Sequence, residues 1–259
     1  MYKFTSIKRQ LLGNVLYRFV PFNQYSLQTL LNHKLYFSNP HYQNDPIDSR
    51  YEIDVSSFPL DYYKDSFSKD PPEIVTKRYL RVQIDIIIKN TYGISCFSKK
   101  YNNILMWSHY TVGATGFCLM FDKNKLYNSL KEQNDSMEID DVKYGRLPTV
   151  APSLRDRKLQ FDYRDIINFK LKEWRYESEV RISCKLEKKY LSKPIRFYSF
   201  DPFSLKCIIM GERMGWEERK SICNILGLKE YKHVIMFKKV RDKNNPRSYK
   251  YELQTRKKL

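Results

Sequence analysis

The chain has 259 residues, of which 42% are hydrophobic and 15% aromatic, so it can build the core of one large domain or two small ones and is not a disordered chain. It carries 47 Lys and Arg residues against 29 Asp and Glu, and the resulting charge of +18 favours polyanionic partners such as nucleic acid, nucleotides or acidic surfaces. Well-solvated basic faces from a lysine-rich proteome explain the same charge equally well. The five cysteines are scattered singly, and no apolar segment approaches the roughly 20 residues of a membrane-spanning helix, so neither a zinc finger nor a membrane span is expected.

The first half of the chain predicts strands interspersed with helices. Residues 1–19 lack the apolar core of a signal peptide, which favours a cytoplasmic protein. Strands are predicted at NVLYRFVPF, KLYFSNP, YGISCFS and GFCLMFD. Helices are predicted at SLQTLLNHK with Ser26 as its cap, in the run that follows Pro71 and Pro72, and at residues 104–110. The polar stretch KEQNDSMEIDDVKYGRLP then predicts an exposed excursion between two halves.

The second half is richer in strands than in helices. Strands are predicted at SEVRISCKL, IRFYSF, SLKCIIMG, HVIMFKKV and YKYELQ, and a helix at GWEERKSICNIL, ending at Gly227. Because strands joined by loops outnumber β-α-β units, we expect an α+β fold with a mixed, mostly antiparallel sheet and flanking helices. Residues 1–240 are predicted to form a single domain, and residues 241–259 a basic C-terminal hairpin or tail.

Two polar residues stand out near the first strands, while the common nucleotide-loop, hydrolase and zinc-protease motifs are absent. Arg18 interrupts an apolar strand, where a guanidinium is costly unless it is paired or faces a cleft. A ligand anion or a protein carboxylate, Glu177 or Glu179, could neutralise it. Ser38 ends a second strand and could brace a neighbouring group, although a plain turn serine is the commoner case. Asp45, before a proline, is most often a turn cap and is otherwise a candidate orienting acid.

The segment ILMWSHY combines a stacking surface, hydroxyls and an imidazole within about two turns of helix. The aromatic faces of Trp107 and Tyr110 suit a nucleobase or a nicotinamide ring, and His109 adds a group that titrates near neutral pH. The competing interpretation is that a histidine beside two aromatic residues simply packs and forms hydrogen bonds.

The segment FKLKEWRYESEVRI, residues 169–182, holds the strongest candidate site. On a regular strand, Glu177 and Glu179 would share a face, and Arg181 would continue it. Two neighbouring carboxylates beside arginines can differ in role, one staying ionised while the other orients a nucleophile. An ion-pair ladder with neighbouring lysines is the alternative. The aromatic bulk of Trp174 and Tyr176 favours a cleft over an open sheet face.

Four ordered segments carry a resemblance to a known family: LYRFVPFNQYSLQTLLNHKLYFSNPHYQNDPID, ISCFSKKYNNILMWSHYTVGATGFCLMFD, WRYESEVRI and FDPFSLKCIIMGER. Together, from about residue 16 to about residue 215, they resemble a bacterial and phage family whose domain has no known function. That family in turn resembles the ADP-ribosyltransferase superfamily, which transfers ADP-ribose from NAD to a protein, a nucleic acid or a small acceptor. The resemblance implies a split sheet and NAD as a substrate, with no metal required.

The superfamily pattern is an arginine or histidine on a first strand, a serine or tyrosine on a later one and a glutamate opening a further strand. The resemblance gives these positions to Arg18, Ser38 and Glu179, with His109 or Tyr110 as alternatives for the middle one. It implies that Glu179 stabilises the ribose cation and that Glu177 positions the acceptor. The residues expected to bind NAD are Arg18, Tyr17, Trp107, His109, Tyr110 and Tyr176.

Two alternatives involve no NAD chemistry. A nucleic-acid-binding protein would use the basic, aromatic tail FKKVRDKNNPRSYKYELQTRKKL, although a hairpin with a solvated face also fits that segment. A metal-dependent nuclease would use Asp45, His109, Glu177 and Glu179 as ligands. The biological role expected from the resemblance is that of a defence or toxin effector that modifies a protein or a nucleic acid.

Overall fold

The computed structural model describes residues 14–60, 69–187, 195–242, 245 and 249–254, so the expectations for residues 1–13 and for the last five residues of the tail lie outside the described residues. The fold is α+β, as the sequence predicts. The strands are β1 (Val15–Val20), β2 (Lys34–Tyr36), β3 (Glu52–Ile53), β4 (Tyr92–Ser98), β5 (Phe117–Asp122), β6 (Glu138–Asp141), β7 (Lys143–Gly145), β8 (Thr149–Val150), β9 (Ser153–Arg155), β10 (Lys158–Gln160), β11 (Phe169–Leu171), β12 (Glu179–Lys185), β13 (Phe197–Ser199), β14 (Leu205–Met210), β15 (Ile235–Arg241) and β16 (Tyr249–Gln254). The α-helices are α1 (Gln24–Leu31), α2 (Pro72–Thr91), α3 (Ile104–Tyr110), α4 (Lys123–Lys131), α5 (Arg164–Ile167) and α6 (Trp216–Leu226). No helix within these ranges is long and apolar enough to cross a bilayer.

Eight strands form one large sheet in the order β16-β15-β14-β5-β1-β4-β12-β6. Every neighbouring pair in it is antiparallel except β14 and β15, which run parallel. The mostly antiparallel, mixed sheet predicted from the sequence is therefore confirmed. The C-terminal residues of β16 complete this sheet as an edge strand paired with β15.

The sheet is covered on both faces because its central strands are apolar on both sides. On one face, Leu16 of β1 packs in the largest core cluster with Leu119 and Val180. On the other face, Tyr17 packs with Trp107 of α3. A third core forms under α2, whose buried residues are Val75, Thr76, Leu80, Ile84 and Ile88.

The sheet is weakly joined at its middle, between β1 and β4. Strand β1 pairs with β5 along six residues, and β4 pairs with β12 along seven. Between β1 and β4, however, the register contains the single pair Tyr17 and Ser98. From Arg18 onwards, β1 forms no further register pairs with β4. The two strands therefore separate there and leave a gap.

Two local expectations need correction. The N-cap of α1 is Asn23 rather than Ser26: the Asn23 side chain accepts a hydrogen bond from the backbone of Ser26, and the Ser26 hydroxyl accepts one from the backbone of Asn23. The polar stretch expected as an exposed excursion contains β6, which pairs with β12 as the other edge of the large sheet. A charged strand suits an edge because its outer side faces solvent.

Gly116 lies where the backbone after β1 comes close to the start of β5. A Cβ at this position would lie 2.2 Å from the carbonyl oxygen of Val20 and 2.9 Å from the Cα of Pro21. We expect Gly116→Ala to lower the free energy of unfolding by about 1–3 kcal/mol, the usual cost of overpacking. Gly145→Ala is the matched control, since its Cβ would meet only a ring carbon of Phe169 at 4.0 Å. Urea unfolding of both variants measures the difference, and equal stabilities would contradict the geometry.

Candidate functional site

Two cavities meet where β1 and β4 separate. The smaller has a volume of about 270 Å³ and the larger about 780 Å³. The small cavity is lined by Tyr17, Arg18, Phe19, Val20, Pro21, Gln43, Asn44, Cys96, Phe97, Ser98, Met106, Tyr110, Lys170, Glu177 and Glu179. The large cavity is lined by Arg18, Val20, Pro21, Asn23, Tyr25, Ser26, Gln28, Thr29, Asn32, Lys34, Tyr36 and Phe197. Both therefore share Arg18, Val20 at the end of β1 and Pro21 after it.

Arg18 places a guanidinium at the junction of the two cavities. It is half-buried, its Nη1 donates a hydrogen bond to the Ser95 hydroxyl, and its Cζ lies 5.6 Å from the centre of the Phe97 ring. Burial lowers the pKa of Arg18, since desolvation penalises the cation. Among the described residues no carboxylate lies within 4.0 Å of it. The expected alternative, pairing with Glu177 or Glu179, does not occur, so this charge stays available to an anion.

The two glutamates reach one cation from different elements. A 3-10 helix, Lys172–Glu177, ends at Ser178 in the left-handed backbone conformation, and β12 begins only at Glu179. The expectation that Glu177 and Glu179 share a strand face is therefore wrong for Glu177, because the left-handed turn separates the two. Both still converge on Lys170 of β11, whose Nζ lies 2.6 Å from Glu177 Oε2 and 2.9 Å from Glu179 Oε2.

Arg181 and Asp48 extend this cluster into the protein. The Arg181 guanidinium is fully buried, and its Nε donates to Glu179 Oε1 at 2.8 Å. Its two terminal nitrogens bind Asp48, with Nη1 2.9 Å from Oδ1 and Nη2 2.6 Å from Oδ2. The cluster therefore holds three carboxylates against two cations. Exchanging a buried ion cluster for apolar residues is often neutral or stabilising, so stability alone does not explain it.

The cluster gives its two glutamates opposite titration behaviour. Burial alone would raise the pKa of Glu179, but Arg181 and Lys170 outweigh it and lower the pKa to about 2. Burial raises the pKa of Glu177, and the attraction of Lys170 only partly opposes it. Divergent pKa values in a pair of carboxylates are typical of sites where one acts as a fixed charge and the other exchanges a proton.

Tyr110 supplies a neutral hydroxyl to the same cavity. It donates a hydrogen bond to Glu177 Oε1 and accepts one from Asn44 Nδ2 at 3.0 Å. Burial raises the pKa of Tyr110, so the phenol keeps its proton at neutral pH. Helix α3 holds it in place through its cap Asn103, whose side chain also donates to the carbonyl of Tyr176 at 2.9 Å.

Comparison with known proteins finds a family model that matches part of the chain. Residues 106–182 match the family model DUF2971, described as a protein of unknown function. The predicted resemblance to a family without known function is thereby confirmed over this span. No curated protein and no solved structure gives a significant match.

The DUF2971 segment contains Tyr110, Lys170, Glu177, Glu179 and Arg181, whereas Arg18 and Asp48 come from the chain before it. The small cavity is therefore built from both parts of the chain. An account of this site based on the DUF2971 segment alone would omit the cation at the junction of the cavities.

Trp107 and Tyr17, both expected to bind NAD, are buried beside other aromatic rings. Trp107 is 1% exposed, its Nε1 donates to the carbonyl of Tyr101 at 2.8 Å, and its ring meets Phe19 edge-on. It is not among the residues lining either cavity, because helix α3 turns it into the core. Tyr17 lines the small cavity, but its ring is fully buried 5.3 Å from the Tyr101 ring, and its hydroxyl has no hydrogen-bond partner among the described residues.

Three further candidates lie outside the lining of the small cavity. Ser38 donates to the carbonyl of Ile94 at 3.1 Å and accepts from Gln43 Nε2 at 2.8 Å, so Gln43 stands between it and the cavity. His109 is exposed, and its Nδ1 lies 3.0 Å from the Tyr176 hydroxyl. Asp45 caps its own turn by accepting the backbone N–H of Ile47 at 2.9 Å. Of the candidates for the middle position, only Tyr110 reaches the glutamates.

Sequence reasoning missed two residues that line the small cavity, Ser98 and Lys170, and one that lies behind it, Asp48. Ser98 lines the small cavity and is in register with both Tyr17 and Glu179. Lys170 gave a usable signal, since a lysine between Phe169 and Leu171 interrupts an apolar strand immediately before two glutamates. Asp48 gave none, because its contact with Arg181 joins positions 133 residues apart.

The pKa of Glu179 predicts a specific acid sensitivity. A carboxyl whose pKa falls on folding adds stability above its ordinary pKa, near 4.5, and loses it as the pH drops towards 2. A shift of this size corresponds to about 3 kcal/mol. We expect Glu179→Gln to be less stable than the wild type at pH 7, with the difference shrinking between pH 5 and pH 3. Urea unfolding across that range measures it, with the exposed Glu173→Gln as control. A difference independent of pH would show that the charge of Glu179 is not what stabilises the fold.

Proposed function

We propose that the protein is an ADP-ribosyltransferase-like enzyme that uses NAD as its substrate at the small cavity. One observation carries the proposal: a guanidinium with no carboxylate partner among the described residues, Arg18, faces the same gap in the sheet as two buried glutamates, Glu177 and Glu179. A dinucleotide needs a cation for its diphosphate and carboxylates for its ribose. The arginine precedes the glutamates along the chain, as the resemblance implies.

The reaction breaks the bond between the ribose C1′ and the nicotinamide nitrogen. The electron pair of this bond leaves with nicotinamide, which becomes neutral, and the ribose develops oxocarbenium character that a nearby carboxylate stabilises. An acceptor O–H or N–H then forms the new bond to C1′ and gives up its proton. The products are ADP-ribosylated acceptor, nicotinamide and one proton.

The hydrogen bonds already made by the two glutamates divide these tasks. An ionised carboxylate offers about four acceptor positions. Three of them go to Arg181 Nε, Arg181 Nη2 and Lys170, and the fourth contact of Glu179 is the Cys96 thiol, a weak donor that a ribose hydroxyl can replace. Glu177 uses two, for Tyr110 and Lys170. Its raised pKa also suits it to take the proton of the acceptor, whereas Glu179 remains a fixed negative charge.

The acceptor we propose is a protein or a nucleic acid. The charge of +18 favours a polyanion, because it raises the local concentration of an acidic partner around the site. A role as a defence or toxin effector is part of the same proposal and follows from the family resemblance alone.

The alternative functions gain no specific support from the geometry. In the basic C-terminal hairpin, Arg241 lies 3.5 Å from Glu212 and Lys250 lies 2.9 Å from Asp242, so part of its charge is already neutralised. For the nuclease, no group of three or more His, Cys, Asp or Glu side chains that could hold a metal ion occurs in the described part of the chain.

Nicotinamide release from NAD tests the proposal. We expect the wild type to release nicotinamide with total RNA, DNA or a protein lysate as acceptor, and Glu179→Gln to be slower by about 10²–10³-fold, as when one electrostatic contact to the transition state is removed. Asp48→Asn is the matched control: it removes one carboxylate charge from the same cluster, but Asp48 does not line the small cavity. It should retain most of the turnover when both variants are assayed below their unfolding temperatures.

Two results would oppose the proposal. Equal losses in Glu179→Gln and Asp48→Asn would mean that the cluster serves only to hold the fold together. No nicotinamide release by the wild type with any acceptor would remove the NAD chemistry itself.

The hydroxyl of Tyr110 predicts a shift in the pH dependence of turnover. Its hydrogen bond lowers the pKa of Glu177, so Tyr110→Phe should raise that pKa and move the acidic limb of the kcat profile to higher pH. Turnover well above this limb should change little. Tyr176→Phe is the control, since that hydroxyl contacts His109 instead. An unshifted limb in Tyr110→Phe would exclude Glu177 as the proton acceptor.

A further inference from the structure

The larger cavity carries an unusual set of exposed aromatic side chains. Tyr36 of β2 and Phe197 of β13 are 42% and 58% exposed, and their ring centres lie 5.0 Å apart. Tyr25, at the start of α1, is 74% exposed and lines the same cavity. Aromatic rings that are exposed around a concave surface offer faces on which a nucleobase can stack.

The charges of this cavity match an anion. Arg18 stands at its inner end and Lys34 at its wall, and none of the described residues that line it is an aspartate or a glutamate. The guanidinium has no carboxylate partner within 4.0 Å among the described residues, so a bound anion would not have to displace one. Guanidinium groups bind phosphate oxygens through paired N–H donors, which suits a diphosphate at this junction.

Helix α1 adds side chains that can form hydrogen bonds with the edge of a base. The amide side chains of Gln28 and Asn32 are exposed at the cavity and make no hydrogen bond within the described part of the chain. Each offers an acceptor oxygen and two donor hydrogens, the combination that matches the edge of a purine. The cavity therefore offers stacking faces, a cation and polar edge groups together.

The relative sizes of the cavities indicate how a dinucleotide would divide between them. Ligand pockets usually have volumes of about 300–1,000 Å³. The small cavity, at about 270 Å³, is below this range and has room for one ring and its sugar. The large cavity, at about 780 Å³, has room for the remaining nucleotide, and Arg18 is the charged group at their junction.

We propose that the larger cavity binds a purine nucleoside diphosphate, with the base stacked against Tyr36 and Phe197 and the diphosphate at Arg18. If the bound nucleotide is the second half of NAD, this inference rests on the proposed function. As a binding site for ADP, it does not, because ADP has no bond to nicotinamide and its binding needs neither Glu177 nor Glu179.

Calorimetric titration of the full chain with ADP, and separately with nicotinamide mononucleotide, tests the assignment. We expect Phe197→Ala to weaken ADP binding by about tenfold or more, which is the usual effect of losing a stacking ring, and to leave nicotinamide mononucleotide unchanged. Phe203→Ala is the matched control, since Phe203 is 56% exposed but does not line either cavity. Arg18→Gln should weaken both ligands because Arg18 lies at the junction.

The outcomes separate this inference from the proposed function. ADP that binds the wild type and Phe197→Ala equally, or does not bind the wild type at millimolar concentration, overturns the assignment of the larger cavity. ADP binding that weakens only in Phe197→Ala and Arg18→Gln supports it, even if the protein releases no nicotinamide. NAD turnover together with unchanged ADP binding in Phe197→Ala would support the proposed enzyme activity but contradict the assignment of ADP to the larger cavity.

Discussion

The structure of the site depends on the ammonium group of Lys170, which joins Glu177 and Glu179 from two different elements. Without a cation between them, two buried carboxylates this close could not both stay ionised. Arg181 extends the contact by binding Glu179 on one side and Asp48 on the other. Because removing one member of a buried ion cluster costs about 3–5 kcal/mol, the cluster fixes these side chains in one arrangement. The same arrangement holds the negative charge at the cavity and gives the two carboxyl groups different affinities for a proton.

The second constraint is the separation of β1 from β4 beyond one register pair. A fully paired central sheet would leave no space between these strands, and the Arg18 side chain would be forced into an apolar core. The gap instead gives the guanidinium a position between two cavities, with Ser95 and Phe97 of β4 as its supports. The backbone of the sheet and the charge of the site are therefore parts of one arrangement, since β1, which pairs with β4 at one residue only, is the strand that presents the cation.

Local patterns predicted the elements well and the site only in part. Helix α3 has the predicted bounds of residues 104–110, and β4 matches YGISCFS, because apolar periodicity reports directly on burial. The aromatic face of Trp107 led to the expectation that it stacks on a ligand ring, but sequence does not show which way a ring points, and Trp107 packs in the core. Sequence reasoning also missed the turn at Ser178. A single residue in the left-handed backbone conformation makes this turn, and no pattern in the sequence indicates it. The contact between Asp48 and Arg181 depends on tertiary folding, and no local pattern reports it.

The central claim is that the two cavities together hold one dinucleotide. The measurement that tests it most directly is a crystal structure of the wild-type chain with an NAD analogue that cannot be cleaved. Our account predicts the nicotinamide ribose within hydrogen-bonding distance of Glu179, the diphosphate at Arg18 and the adenine in the larger cavity, beside Phe197. A dinucleotide bound elsewhere on the protein, or density in neither cavity at saturating ligand, would contradict it.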